Sequence, residues 1–98
     1  MDLMKMADNA EQAQALLKLL ANKNRLMILC CLQQGEQSVS QLNERVPLSQ
    51  SALSQHLAAL RQENIVTTRR ESQTIFYSLS DSNARAILST LYEIYCQE

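Results

Sequence analysis

Between Ser38 and Gln62 the chain encodes two short helices, each with its own start signal, separated by a break too short to let them lie far apart. Ser38 followed by Gln41 is a capping-box pair, in which each side chain accepts from the other residue's backbone N–H. It opens a helix over about Val39 to Val46 with Leu42 and Val46 inward, and Pro47 ends that helix because it cannot continue the hydrogen-bond ladder. Ser49 then caps a second helix reaching about Gln62, with Ala52, Leu53, Leu57 and Leu60 on its buried side. Gln50, Ser51, Ser54, Gln55, Ala58 and Arg61 fall on the opposite, outward side. Two helices joined by about three residues pack as a helix-turn-helix.

The flanking segments complete a recognisable order. From about Asp8 to Leu20, Ala10, Ala13, Leu16, Leu17 and Leu20 recur at helical spacing and predict a first helix with one apolar stripe. Asn22 caps a second, whose run from Leu26 to Leu32 is apolar nearly all round, as in a helix buried between others, and Gly35 is its left-handed stop. Beyond Asn64 the β-branched and aromatic runs Ile65–Thr68 and Thr74–Leu79, separated by Glu71-Ser72-Gln73, predict a two-stranded hairpin with a polar tip. Ser80 or Asp81 opens a last helix in which Ala84, Ile87, Leu88, Leu91, Ile94 and Tyr95 form a strip too wide to stay exposed.

The expected fold is therefore mainly α with a small β-hairpin, in the order α-α-α-α-β-β-α, a winged helix-turn-helix. With one Gly, one Pro and no low-complexity tract in 98 residues, a single domain spanning 1–98 is expected. A chain this short buries about two-thirds of its surface, and pairing the first and last helices across a two-fold axis would make a homodimer and cover the remaining stripes.

Net charge is −1, so no global basic field announces a nucleic-acid partner. Locally, the stretch holding Glu44, Arg45, Arg61, Glu63, Arg69 and Arg70 carries a surplus of two positive charges, between a neutral start and an acidic end. No stretch approaches the roughly 18 apolar residues of a membrane span, and the start lacks a cleavable leader pattern, so a cytoplasmic protein is expected. In that compartment Cys30, Cys31 and Cys96 are not a permanent disulfide framework; they are core residues, metal ligands or redox sensors.

In a helix-turn-helix the second helix lies in the major groove with its amino-terminal side chains at base edges, here Ser49, Gln50, Ser51, Ser54, Gln55 and His56. Gln pairs bidentately with adenine, and Ser donates to or accepts from several base edges or holds a phosphate. His56 is either a base contact or a structural hydrogen-bonding residue. Arg69 and Arg70, at the end of the first hairpin strand, are long cations able to reach phosphates or a minor groove, and Arg61 and Thr68 are further backbone-contact candidates. No cofactor is expected, since Gly-rich phosphate loops, Cys-x-x-Cys and triad-like arrangements are missing, and these absences argue against an enzyme.

The segments Leu19–Leu29, Leu48–Leu57 and Ile75–Leu79 resemble the ArsR family of dimeric winged-helix regulators across nearly the whole chain. The resemblance implies binding to imperfect inverted repeats in promoter DNA and release on meeting an inducer. Metal-sensing members carry thiols on the third helix or His and carboxylates on the last. Here Glu36–Leu42 has no thiol and the last helix has no His, so those metal sites are absent. Cys30 and Cys96 are placed as in the HlyU, BigR and SqrR branch, with the last helix closest to HlyU-like members. The resemblance implies that these two thiols sense oxidants or reactive sulfur species by linking to each other, and that HlyU-like members activate virulence-type genes by displacing a silencer. Cys31, about a quarter-turn from Cys30, reads as packing. The alternatives kept open are a thiol-ligated metal-sensing repressor using Cys30, Cys31 and Cys96, and a thiol oxidoreductase.

Overall fold

Leu53, Leu57 and Leu60 of one helix and Ile28, Leu29 and Leu32 of another meet at the centre of the structure, all at most 2% exposed. In the computed structural model, which describes residues 1–96, they belong to α4 (Gln50–Gln62) and α2 (Lys23–Gln33). Around them pack α1 (Leu3–Leu20), β1 (Gln37–Ser38), α3 (Val39–Arg45), β2 (Val66–Glu71), β3 (Thr74–Leu79) and α5 (Ser82–Tyr95). Leu42 and Val46 from α3 and its cap, Val66 and Leu79 from the sheet, and Ala84 and Leu88 from α5 close the same core.

The helix-turn-helix forms as its start signals require. Ser38 Oγ accepts from the Gln41 N–H at 3.2 Å while Gln41 Oε1 accepts from the Ser38 N–H at 2.8 Å, the reciprocal box in full. Ser49 Oγ accepts from the Ala52 N–H at 3.1 Å and starts α4. The end of α4 is equally defined. Asn64 takes a left-handed φ of 61°, the Ile65 N–H reaches back to the Leu60 carbonyl at 2.9 Å, and the Asn64 N–H reaches Arg61 at 3.0 Å. That is a Schellman motif with the buried pair Leu60 and Ile65 as its apolar seal, and it turns the chain from α4 into the hairpin.

Three sequence expectations are corrected, and the choice between Ser80 and Asp81 as the last cap is resolved. The first helix begins at Leu3, not near Asp8, because the Asp2 carboxylate accepts from the Lys5 N–H and supplies a cap where the apolar stripe has not yet begun. The second helix is not buried all round: Met27 and Cys30 are exposed, so one face of α2 stays open. The last helix is capped by Asp81, which accepts from the Ala84 N–H at 2.8 Å. The hairpin is part of a three-stranded antiparallel sheet in the order β1-β3-β2, with Gln37 opposite Tyr77 and Ser38 opposite Phe76. A two-residue strand is too short to show any alternation, so β1 leaves no periodic trace.

β2 and β3 pair from Val66↔Leu79 to Glu71↔Thr74, leaving Ser72 and Gln73 as the loop. Ser72 carries φ 56°, the sign that the tight turns favoured in two-residue hairpins need at that position. Gly35, at φ 143°, likewise takes a conformation closed to most side chains just after α2.

Much of α1 and one side of α5 remain uncovered. Leu3, Met4, Leu17, Tyr92, Ile94 and Tyr95 are each more than half exposed, and among α1 residues Leu20 alone is fully buried.

Candidate nucleic-acid interface and thiol pair

The buried stripe of α4 forces its other side outward: Gln50, Ser51, Ser54, Gln55, Ala58 and Arg61 are all exposed. Ser49 is exposed too, but its hydroxyl is committed to the cap. The first two turns of α4 thus offer two amides and two short hydroxyls on one capped, apolar-backed helix, a set able to read base edges with close backbone approach. His56 sits at the margin of this face, half-buried, and its Nδ1 accepts from Arg25 Nε of α2 at 3.2 Å.

On the wing the two arginines have different environments. Strand alternation and the pairing Arg69↔Phe76 and Arg70↔Ile75 put them on opposite faces of the sheet. Arg69 lies 4.7 Å from the Phe76 ring centroid and donates to both carboxylate oxygens of Glu36, at 2.7 and 3.0 Å, and to Glu71 at 2.7 Å. The hydrogen bonds from Arg69 hold the Glu36 carboxyl below its ordinary value, and those carboxylates in turn push the guanidinium's pKa up, so Arg69 is a clasp between wing and body. Arg70 is exposed and has no ion-pair partner among the described residues, which leaves its charge open for an outside anion. Thr68 is half-buried.

The three cysteines are all free thiols. Cys30 on α2 and Cys96, the cap of α5, line one cavity of about 190 Å³ with Leu26, Leu91, Tyr92 and Tyr95. Partial burial pushes the Cys30 thiol up, and the neighbouring Cys96 and Cys31 sulfurs add to that rise because a second negative charge nearby is unfavourable. On the other side of Cys30 lies a more polar cavity of about 380 Å³ lined by Gln33, Gln34, Ser89, Tyr92 and Glu93. Cys31 is half-buried and packed on the core. Among the described residues no three His, Cys, Asp or Glu side chains converge as metal ligands, and no helix is long and apolar enough to cross a membrane.

Two contacts escaped the sequence reading. One is Arg25 to His56, which joins positions 31 residues apart. The other is the junction after α2, where the Gln37 amide, 9% exposed, donates to the Cys31 carbonyl at 2.7 Å while neighbouring Glu36 holds Arg69. Neither leaves a periodic signal; both depend on which elements the tertiary fold brings together.

Residues 22–68, the span from the cap of α2 into β2, match the bacterial regulatory protein, arsR family. The chain is 50% identical over 97 residues to the transcriptional activator HlyU of Vibrio cholerae, covering 99% of this chain and 90% of that protein. The solved structure of reduced HlyU superposes with a TM-score of 0.89, covering 95% of this chain and 98% of that one. The transcriptional repressor BigR from Xylella fastidiosa, 39% identical, superposes with a TM-score of 0.93 over 100% of both chains. A homodimeric winged helix-turn-helix DNA-binding domain from Mycobacterium bovis, 26% identical, superposes with a TM-score of 0.78 over 95% of this chain and 86% of that one.

Proposed function

The chain belongs to the ArsR family of bacterial regulatory proteins and is a DNA-binding transcriptional regulator, not an enzyme; from that premise we propose that its hold on DNA is set by whether Cys30 and Cys96 are free or joined. The observation that carries this reading is the shared cavity. Two thiols from helices α2 and α5, far apart in sequence, line one small apolar chamber. Joining them as a disulfide gives up two electrons and two protons to the oxidant; a sulfane-sulfur donor would instead leave one sulfur between them while a second sulfane sulfur takes the two electrons and two protons and departs as hydrogen sulfide. A direct bond needs Cα atoms about 4.4 to 6.8 Å apart, whereas a longer sulfur bridge tolerates more.

In this reading the DNA is a promoter duplex with an imperfect inverted repeat, and the reader is a homodimer. The exposed apolar residues of α1 and α5 supply the self-complementary surface, and the homodimeric Mycobacterium bovis domain supports the same assembly. Two reader helices of a dimer must sit about 34 to 36 Å apart to enter successive turns of the major groove. Linking Cys30 to Cys96 draws α5 against α2, and α5 lies in the proposed interface, so the link changes the spacing and lowers affinity. Gln50, Ser51, Ser54 and Gln55 read bases, while Ser49, His56, Arg61 and Arg70 serve as positioning contacts, with Arg69 holding the wing.

The test is anisotropy titration of reduced, diamide-treated and polysulfide-treated protein on DNA from upstream of its own gene. We expect weaker binding in both treated states, with coupling of about 5- to 150-fold. Cys31→Ser should leave the response intact and Cys30→Ser and Cys96→Ser should each abolish it. Equal affinity in all three states rejects the thiol switch.

A further inference from the structure

A side-chain hydrogen bond from α2 to the flank of α4 has an unusual chemical consequence. Arg25 rises from the first turn of α2, donates through Nε to His56 Nδ1 at 3.2 Å, and donates through Nη1 to the Leu19 carbonyl at 3.5 Å. Both side chains are half-buried. A guanidinium has donors only and stays protonated, so the imidazole nitrogen facing it must present a lone pair. In the neutral ring the proton is then on Nε2. That second nitrogen has no partner among the described residues, yet no side-chain nitrogen or oxygen among them is buried without one, so Nε2–H reaches solvent. Two of the residues one turn away on α4, Ala52 and Ala59, carry only methyl groups.

We infer that Arg25 is a positioning residue for DNA binding: it holds His56 as the Nε2–H tautomer and so presents a fixed, neutral donor from the flank of α4 to a phosphate oxygen beside the groove. Such contacts set the register of a reader helix without reading sequence. Because the donor is neutral it displaces no counterion, so its loss lowers affinity without altering the salt dependence. The inference rests on the DNA-binding part of the reading above and not on the thiol switch, and every measurement below is made under reducing conditions.

His56 is the chain's single histidine, so a proton–nitrogen correlation spectrum of the full ¹⁵N-labelled chain at alkaline pH reads its tautomer without ambiguity. The expected form in the unaltered protein is Nε2–H; an Nδ1–H ring overturns the inference. In Arg25→Met, which keeps the length of the side chain but has no donor, the ring should become a mixture of both forms, and affinity for a labelled duplex of the chain's own upstream DNA should fall by about three- to tenfold. An unmoved tautomer in that variant overturns the inference. His56→Met keeps a weak sulfur acceptor for Arg25 but has no N–H, and it should lose a similar factor with its circular dichroism and salt slope unchanged. Binding equal to the unaltered protein would leave Arg25 and His56 as a purely structural clasp and overturn the DNA role. Failure of the unaltered protein to bind any duplex would sink the DNA-binding reading together with this inference, whereas failure to respond to oxidants would sink the switch alone.

Discussion

Gln33 on α2 donates from Nε2 to Ser89 Oγ on α5 at 2.7 Å, in the wall of the polar cavity beside Cys30. This hydrogen bond ties together the two helices that carry the thiol pair. Ser89→Ala leaves the half-buried Gln33 amide without that partner, and we expect it to cost about 1 kcal/mol. Urea unfolding of the reduced protein measures it; a midpoint unchanged from the parent would show that the amide finds water at no cost.

The contrast between the wing arginines gives a second expectation. Arg70→Ala should lower the salt slope of DNA binding by about 1, as expected for one lost phosphate contact. Arg69→Ala removes a charge already met by Glu36 and Glu71, so it should loosen the wing while moving that slope much less. Anisotropy titrations across a salt series separate the two, and equal slope changes would contradict the division of roles.

The helix-turn-helix was the most legible part of the molecule because its information is local. Ser38, Gln41 and Ser49 act on backbone groups three residues away, and the Leu53, Leu57 and Leu60 stripe repeats within one helix. The outward placement of Gln50, Ser51, Ser54 and Gln55 follows from that stripe by geometry alone. Met27 and Cys30 misled for the opposite reason: an apolar residue carries no mark of whether its face meets the same chain or an outside surface. Arg69 and Arg70 look alike in sequence, and only the register against Phe76 and Ile75, together with a carboxylate 33 residues upstream, gives them different surroundings.

Cys30 should show the pH signature of a disfavoured thiolate. Its thiol is held up first by burial, then by the neighbouring sulfurs, and the thiolate is the reactive form. Alkylation of Cys30 therefore accelerates as pH rises through a midpoint above the ordinary thiol value. In the Cys31→Ser, Cys96→Ser double variant the midpoint should move down yet remain elevated, because burial is the larger cause. Mass-resolved iodoacetamide labelling across pH reads both, and a midpoint at or below the ordinary value would refute the assignment.

Stability and recognition should separate along α4. Leu57→Ala, at a position with no exposure, should cost about 2 to 5 kcal/mol. Ser54→Ala, on the exposed side, should stay within about 0.5 kcal/mol of the parent while weakening DNA binding. Paired denaturation and binding curves test this; loss of stability at Ser54 comparable to that at Leu57 would place the serine in the core.

The amino-terminal helix touches the rest of the chain mainly through its last turn, with Leu20 its one fully buried residue. Eighteen residues of helix standing in water are only marginally stable by themselves. The segment's order therefore depends on what lies against it, and in the homodimer proposed above dilution would be felt first at the amino terminus, as fraying that travels from Leu3 toward Leu16 while α4 stays intact.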